Sequence, residues 1–303
     1  MNMTRAQLLA GMAATLTLPR CATRNSSRTI RIGSKDFTEE LIIAEVYAQA
    51  LEARGLQVQR KLNLGSTQIA MAALQKGEID LYPEYTGTAL LDVLKFPVMH
   101  DPQAIYTTVA KQYEERYNLR WLNPAPMNDS QGLATTAQIS RKYHIETLSQ
   151  LSKAAPLLRL GAIPEFVRRP DALPGLQKYY GGFQFKDVKL FDIGLKYKAL
   201  LSGQVDVVPA FTTEGLLEAN HLVLFKDDRR FWPAYQVAPV IRQAALRAHP
   251  QIAATLNSIA PLFTDETMRR LNYEVDGRKR EPADVAAEFL TTHKSSHAGG
   301  SAR

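Results

Sequence analysis

The chain has only one cysteine, Cys21, among its 303 residues. No intrachain disulfide can therefore form, although this neither requires nor excludes an oxidising compartment. Long apolar runs are also scarce. The run from Leu8 to Leu18 has the length of a signal-peptide core and is too short to span a bilayer.

The motifs of common enzyme families are missing as well. We find no GxSxG, HExxH, P-loop or GxGxxG pattern. The six histidines are scattered, and the pair His293 and His297 lies in a segment that we expect to be disordered. With Cys21 in a leader segment, no cysteine nucleophile remains. The sequence predicts that the protein is not an enzyme and has no metal and no cofactor, an expectation that turnover of a bound ligand would contradict.

Positive charge is present but is not concentrated in one place. The net charge is +7 and the pI is about 9.4, yet lysine and arginine are scattered apart from short groups such as residues 278–280. This pattern predicts a basic, solvated surface and no nucleic-acid partner. A ligand-sensing transcription regulator would need a DNA-binding helix pair, and only 28 residues precede the first predicted strand.

Residues 1–28 have the features of an export signal. Arg5 precedes the apolar run, and Cys21 stands where a lipoprotein carries its acylated cysteine. Residues 18–20 fit a lipoprotein processing site poorly, because small residues are usual before the cysteine. We expect a periplasmic protein, or an extracytoplasmic lipoprotein anchored through Cys21. A disordered N-terminus with an incidental cysteine is the alternative.

One stretch of the sequence occurs twice. Residues 73–86 (ALQKGEIDLYPEYT) align without gaps on residues 199–212 (ALLSGQVDVVPAFT), at a constant offset of 126 residues. This repeat suggests two lobes that are built alike. Each copy places an aromatic residue, Tyr85 or Phe211, just beyond the carboxyl end of a predicted strand, where open α/β sheets bind ligands. The two rings would then form opposite walls of a cleft.

Helical and strand patterns alternate along the chain. Residues 29–33 and 56–62 are typical of strands, and the segments that follow them have the apolar spacing of helices. This order predicts a doubly wound α/β domain. Asp36 is predicted to cap the first helix, with Glu39 three residues later in a capping-box arrangement.

Two proline-rich stretches, residues 123–131 and 231–239, are interpreted as crossovers between the lobes. The predicted organisation is a leader (1–28), a discontinuous lobe 1 (29–130 and 236–293), a lobe 2 (131–235) and a disordered tail (294–303).

Five motifs appear in order along the chain: residues 33–39 (GSKDFTE), 80–88 (DLYPEYTGT), 169–176 (RPDALPGL), 192–200 (DIGLKYKAL) and 271–276 (LNYEVD). Together they resemble the OpuAC-type substrate-binding proteins of ABC importers for quaternary ammonium osmoprotectants such as glycine betaine, choline and carnitine. The likeness extends from about residue 29 to about residue 292. It implies a type II periplasmic-binding-protein fold, in which two α/β lobes are joined by two crossovers with the ligand cleft between them. It also implies an ABC permease and its ATPase as partners, and we expect a monomer.

The resemblance further implies a ligand cage with tyrosines at four positions. Tyr85 and Tyr235 are retained in this chain, Phe211 occupies the third position, and Gln131 replaces the fourth tyrosine. Other candidate ligand contacts are Thr86, Thr88 and Lys35, which could donate hydrogen bonds to a carboxylate, and Asp36.

Aromatic rings suit this ligand class because a quaternary ammonium has no N–H to donate. Each ring contributes roughly 0.5–2 kcal/mol by attracting the cation to its face. Three or four rings therefore supply a large share of the roughly 8 kcal/mol that micromolar affinity requires. In the upper part of this range, about 1.4–2 kcal/mol, the loss of one ring at Gln131 is expected to cost about tenfold to thirtyfold in affinity. Alternatively, Gln131 marks a different solute, such as an amino-acid derivative or another cationic metabolite with a polar group.

Overall fold

A computed structural model describes residues 29–298, with side chains through residue 293. The predicted leader, including Cys21, lies outside the described residues. The strands are β1 (Ile30–Gly33), β2 (Val58–Lys61), β3 (Leu81–Tyr85), β4 (Leu119–Trp121), β5 (Gln131–Thr136), β6 (Arg159–Ala162), β7 (Asp187–Leu190), β8 (Val208–Phe211), β9 (Leu222–Leu224) and β10 (Val237–Arg242).

Helices alternate with these strands through most of the chain, as the apolar spacing predicts. They are α1 (Thr38–Glu52), α2 (Thr67–Lys76), α3 (Thr86–Thr88), α4 (Pro102–Tyr117), α5 (Ala137–Tyr143), α6 (Leu148–Ala154), α7 (Leu173–Tyr180), α8 (Lys196–Leu201), α9 (Gly215–Ala219), α10 (Gln243–Ala248), α11 (Gln251–Ile259), α12 (Asp265–Asp276) and α13 (Pro282–Ala298). None of these helices is long and apolar enough to cross a membrane.

The strands form two sheets of equivalent order when the isolated bridge that joins the pair β6-β7 to the sheet β8-β5-β9 is included. The first is β2-β1-β3-β10-β4, with β1 parallel to β2 and β3 and with β10 antiparallel to both of its neighbours. In the second, β7 and β6 pair in parallel, a parallel bridge between Leu160 and Val207 leads on toward β8, and β5 is antiparallel to β8 and β9. The second sheet therefore has the order β7-β6-β8-β5-β9. In this sheet β5 runs antiparallel to both of its neighbours and follows the first crossover. In the first sheet β10 does the same and follows the second crossover.

The repeat in the sequence is a repeat in the structure. Asp80 accepts hydrogen bonds from the backbone, Nε and Nη2 of Arg31, at 3.0, 2.9 and 2.8 Å. Asp206 accepts the same three hydrogen bonds from Arg159, each at 2.8 Å. Each pair joins a parallel strand of its lobe, β1 or β6, to the segment that follows the repeated glycine. The two lobes are therefore built from equivalent units.

The repeated glycines explain why each unit turns at the same point. Gly77 and Gly203 have φ angles of +73° and +71°, a left-handed conformation that costs glycine little and other residues more. In both copies the chain then enters a buried segment with no exposed face. Ile79 and Val205, at equivalent positions, are 0% and 1% exposed, which accounts for the apolar character of both copies.

Helix α1 lies at the centre of the packing in the first lobe. It contacts α11, α12 and α13, which follow the second crossover and pack back on the first lobe. Its side chains are buried almost all round, with Ile42 and Ile43 at 0% exposure. The two ends of the chain therefore share one core, and the crossovers are held side by side through the hydrogen bond from Asp129 N to Tyr235 O, at 3.1 Å.

Two predictions from the sequence differ from the structure. Asp36 does not cap α1, because the N-cap is Phe37 and no side chain makes a capping hydrogen bond. Glu39 faces buried donors in place of the helix backbone, and Glu40 instead accepts the Lys35 N–H at 3.1 Å. The predicted disordered tail begins inside α13, which continues to Ala298, because no glycine or proline interrupts the helix before Gly299. Residues 299–303 lie outside the described residues.

Candidate ligand-binding site

A cavity of about 100 Å³ lies between the lobes, at the carboxyl ends of the central strands. The first lobe and first crossover contribute Lys35, Asp36, Phe37, Ser66, Thr67, Tyr85, Thr88 and Asp129, and the second lobe and second crossover contribute Gln131, Ile163, Glu165, Phe166, Arg169, Ile193, Phe211 and Tyr235. Most of the predicted site residues are therefore brought together in one place. This is where open α/β sheets hold ligands.

The aromatic residues of this cavity come in pairs that follow the internal repeat. Tyr85 is the last residue of β3 and Phe211 is the last residue of the equivalent strand β8. Phe37 follows β1, and Phe166 follows the equivalent strand β6. Tyr235 adds a fifth ring from the second crossover. Rings thus reach the cavity from both lobes, although Gln131 does not provide one.

Tyr85 is 3% exposed and is fixed at both ends of its ring. Its hydroxyl donates to Glu39 Oε1 at 2.7 Å, and the Phe37 ring lies 6.2 Å away, centroid to centroid. The ammonium of Lys35 lies 4.6 Å from the Tyr85 centroid. The ammonium of Lys35 therefore already makes a cation–π contact with the Tyr85 ring.

Lys35 belongs to a buried group of charges behind this ring. Its Nζ lies 2.8 Å from Glu84 Oε1 and 3.4 Å from Glu40 Oε1. Burial alone would lower the pKa of Lys35, but the two negative charges outweigh it and raise that pKa. Burial raises the pKa of Glu40 to about 8, against the attraction of Lys35. The predicted donation from Lys35 to a ligand carboxylate therefore competes with two internal partners.

Phe211 repeats the Tyr85 arrangement in the second lobe. The ammonium of Lys196 lies 4.8 Å from the Phe211 centroid and 2.6 Å from Glu214 Oε1. Glu214 also accepts the Phe211 backbone N–H, at 3.0 Å. In each lobe, therefore, a lysine lies over a ring of the cavity wall. A glutamate binds that lysine and also accepts the backbone N–H of the ring residue.

Tyr235 and Gln131 are joined through a buried ion pair. The Tyr235 hydroxyl donates to Asp171 Oδ2 at 2.6 Å, and Gln131 Nε2 donates to the same oxygen at 2.7 Å and to the Tyr235 hydroxyl at 3.1 Å. Arg169 binds both Asp171 oxygens through Nε and Nη2. Burial would raise the pKa of Asp171, but Arg169 outweighs it and lowers that pKa. The amide of Gln131 thus contacts protein groups at the point where a fourth tyrosine was expected.

Glycine at position 87 permits the Tyr235 ring to pack closely on α3. A Cβ there would lie 2.6 Å from Tyr235 Cδ1 and 2.9 Å from the Ala234 carbonyl oxygen. This close approach explains why the motif that contains Tyr85 continues with Thr-Gly-Thr.

The other predicted ligand contacts, Thr86, Thr88 and Asp36, differ in their positions relative to the cavity. Thr86 is not part of the lining, and its hydroxyl donates to the Ala234 carbonyl and accepts the Gln236 N–H; a ligand contact at Thr86 stays a prediction. Thr88 lines the cavity and accepts a long hydrogen bond, 3.5 Å, from Arg169 Nη2. Asp36 is exposed at the cavity edge.

Sequence reasoning missed several of the lining residues. Phe37 and Phe166 were not proposed as walls, although each follows a strand that ends at the cleft. Arg169 and Asp171 lie in a motif that was recognised without a role being given to it. The sequence feature that could have identified them is a pair of oppositely charged residues in a predicted loop at the carboxyl end of β6.

The fold and the site define a class. A cavity closed between two α/β lobes that are joined by two crossovers, with rings from both lobes, is the architecture of a solute-binding protein. The family model that matches residues 28–292 is OpuAC, described as the substrate binding domain of an ABC-type glycine betaine transport system. The chain belongs to this family, and its class is that of a binding protein and not of an enzyme.

Named relatives are consistent with this assignment. The glycine-betaine-binding protein of Pseudomonas aeruginosa (strain PAO1) is 36% identical over 277 residues, covering 88% of both chains. The ergothioneine transport permease/ergothioneine binding protein EgtU of Helicobacter pylori (strain G27) is 34% identical over 260 residues, or 86% of this chain; the match spans 46% of that relative's length. A crystal structure of a glycine betaine/carnitine/choline ABC transporter protein is 32% identical with a TM-score of 0.72, covering 88% of this chain and 98% of that one.

Proposed function

We propose that the protein captures a quaternary ammonium compound, such as glycine betaine or choline, between its lobes and delivers it to an ABC permease that is driven by an ATPase. The observation that carries this proposal is the set of five rings, Phe37, Tyr85, Phe166, Phe211 and Tyr235, around one small cavity. A methylated cation offers no N–H donors, and ring faces attract it without requiring any. Osmoprotection is the role that this ligand class supports.

Two lysines lie over three of the rings, Lys35 over Phe37 and Tyr85 and Lys196 over Phe211, and they do not block this use. The charge of Lys35 is balanced by Glu84 at 2.8 Å, and that of Lys196 by Glu214 at 2.6 Å. Since each ammonium is neutralised locally, its repulsion of a ligand cation across the ring is small. Tyr235 and Phe166 have no lysine or arginine over their rings within the described chain.

A betaine also carries a carboxylate, for which Arg169 is the best-placed partner. Its Nε and Nη2 are bound to Asp171, whereas Nη1 has no hydrogen-bond acceptor among the residues that the structure describes. The side chain is only 17% exposed, so a charge-assisted hydrogen bond there would be largely shielded from water. Thr88, next to Arg169, is a second donor, and we assign Lys35 to ring support.

A second candidate ligand is a larger betaine of the ergothioneine type. The similarity to the Helicobacter pylori protein favours it, and so does Gln131, whose Oε1 accepts no hydrogen bond from the described residues. That oxygen would accept an N–H of the ligand. On this proposal the ligand-binding residues are Tyr85, Phe211, Tyr235, Gln131 and Thr88, together with Phe37, Phe166 and Arg169.

Calorimetric titration of the chain without its leader tests the proposal. The ligands are choline, glycine betaine, carnitine, proline betaine, ectoine and ergothioneine. We expect binding of at least one trimethylammonium compound and none of ectoine, which has no trimethylammonium head. Failure of every methylated cation to bind would refute the proposal. We further propose that the protein acts as a monomer outside the cytoplasmic membrane, with the lobes bounded at residues 130/131 and 235/236.

A further inference from the structure

A second cavity, of about 290 Å³, adjoins the ring-lined cavity. We name it the acidic chamber, and we name the first cavity the ring chamber. The two share Asp36, Phe37, Asp129, Ile193 and Phe211 as common walls. Beyond these walls the acidic chamber is lined by the carboxyl groups of Glu39, Glu214 and Asp276 and by the amide of Asn272.

Two buried carboxyl groups of this chamber, those of Glu39 and Asp129, have no cationic partner among the described residues. Glu214 is paired with Lys196, but no lysine, arginine or histidine of the described chain lies within 4.0 Å of Glu39 or Asp129. Glu39 and Asp129 are 3% and 7% exposed. They accept hydrogen bonds from neutral donors only, including Thr213, whose hydroxyl lies 2.6 Å from Asp129 Oδ1. A buried carboxylate is stable only when it is paired, hydrogen-bonded or protonated.

Burial raises the pKa of both groups. For Asp129 the negative charge of Glu39 adds to this effect, and for Glu39 the hydrogen bonds from Tyr85 and Asn272 oppose it. The pair is thus short of positive charge within the protein itself.

Asn272 provides an independent sign of a missing partner. Its Nδ2 donates to Glu39 Oε2 and to the Thr213 carbonyl oxygen, both at 2.9 Å, which fixes the orientation of the amide. Its Oδ1 is buried and has no hydrogen-bond partner in the described residues, although the side chain is part of the chamber wall. Buried acceptors are nearly always satisfied. An unsatisfied acceptor therefore lies beside Glu39, one of the two buried acids that have no cationic partner among the described residues.

We propose that the acidic chamber receives a nitrogen group that carries N–H donors, and that this group belongs to the same ligand whose methylated head lies in the ring chamber. The proposal rests on the proposed function and narrows its substrate class to betaines with a second, hydrogen-donating nitrogen function. A trimethylammonium head cannot satisfy Asn272 Oδ1 or the carboxylates by hydrogen bonding, so the two chambers differ in the chemistry that they select. Two lysines line the chamber: Lys279 is exposed at its edge, and Lys196 is buried and paired with Glu214 at 2.6 Å, so that the carboxyl groups outnumber the ammonium groups.

The test compares two ligands that differ only in the second group. Glycine betaine and Nα-trimethylhistidine both have the trimethylammonium head and the carboxylate, and the second adds an imidazole with N–H donors. We expect the imidazole betaine to bind the unmodified chain at least about tenfold more tightly, which is the effect of one charge-assisted hydrogen bond. Titration calorimetry gives the ratio of the two affinities.

Variants then locate the preference. Asp276 lines only the acidic chamber, is partly exposed and accepts a hydrogen bond from Thr38 at 2.6 Å. In Asp276→Asn we expect the affinity ratio to fall by about threefold to tenfold. The matched control is Asp284→Asn, an exposed residue at the start of α13, which should keep the ratio. Circular dichroism verifies that both variants fold, and the ratio cancels any general loss of binding.

The outcomes separate this inference from the proposed function. If glycine betaine binds and the imidazole adds nothing, or if Asp276→Asn keeps the ratio, the acidic chamber does not select a nitrogen donor and the inference is overturned while the function stands. If neither betaine binds, the proposed function itself fails. A ratio above tenfold that collapses in Asp276→Asn alone supports the inference.

Discussion

The role of the Tyr85 ring can be measured separately from its shape and its hydroxyl. Tyr85→Leu keeps an apolar side chain at the end of β3 but removes the ring face. Choline and 3,3-dimethylbutan-1-ol are matched ligands, because the second has a carbon in place of the charged nitrogen and nearly the same size. The change in the affinity difference between the two ligands isolates the attraction of the ring for the cation.

The expected magnitude follows from the surroundings of the ring. A ring–cation contact contributes roughly 0.5–2 kcal/mol, so choline should lose about twofold to thirtyfold more affinity than the neutral analogue does. We expect the upper half of this range, since Tyr85 is 3% exposed and little water screens the contact. Removal of the apolar surface of the ring weakens both ligands alike, so this effect cancels in the comparison.

Tyr85→Phe is the control for the hydroxyl, which donates to Glu39 at 2.7 Å. It keeps the ring and should preserve most of the preference for choline over the neutral analogue. Isothermal titration of both ligands against the unmodified chain and the two variants supplies all six affinities. Equal losses for choline and its neutral analogue in Tyr85→Leu would refute the reasoning, because the ring would then act only as apolar surface.

Three further predictions concern the charges around the cavity. The double variant Arg169→Gln/Asp171→Asn keeps polar contacts but removes both charges. Its affinity for glycine betaine should fall by about tenfold or more. Its affinity for choline, which lacks a carboxylate, should change by less than about threefold in the same titrations. Glu40→Gln should become more stable relative to the unmodified chain as pH rises. The pKa of Glu40 in the folded chain is about 8 and exceeds the ordinary 4.5, so the free energy of unfolding of the unmodified chain falls by up to about 5 kcal/mol between these pH values. Urea midpoints with the same pH dependence in both proteins would contradict this. Asp80→Asn should lower the free energy of unfolding by about 2–4 kcal/mol and Asp206→Asn by about 1–2 kcal/mol, since Asp80 is the more buried and binds two arginines; equal losses in urea unfolding would show that burial does not set the difference.

The sequence allowed prediction of the fold because its signals are local and repeated. A helix that ends at Gly77 or Gly203 and leads into a buried apolar segment recurs at a fixed distance, and such a pattern indicates two equivalent units before any contact is known. The strands predicted at residues 29–33 and 56–62 agree with β1 and β2 within a few residues, whereas residues 231–239, interpreted as a crossover, include the start of β10 at Val237. Tyr85 and Phe211 could be placed at the cleft for the same reason, since strand ends and ligand sites coincide in open α/β sheets.

The contacts that depend on three-dimensional packing could not be predicted in this way. Asp36 has the spacing of a helix cap, but Glu39 finds Tyr85 and Asn272 as buried donors, and these lie 46 and 233 residues away in the sequence. Thr86 has a hydroxyl next to a wall ring, yet the second crossover uses it. Phe166 follows a loop with no periodic pattern, so the side of the loop on which its ring lies became known only from the structure.

The internal repeat also explains how the site can lose a ring and still surround a cation. Equivalent strands supply Phe37 and Phe166 as one pair and Tyr85 and Phe211 as another, so each lobe presents two rings irrespective of the residue at position 131. The substitution at Gln131 falls outside these pairs, where β5 begins. An amide there exchanges one ring contact for hydrogen bonds to Asp171 and Tyr235 on one side and a free acceptor oxygen on the other. We expect this exchange to lower the affinity for a purely methylated ligand and to raise it for a ligand that also carries an N–H group, in agreement with the preference that we propose for the acidic chamber.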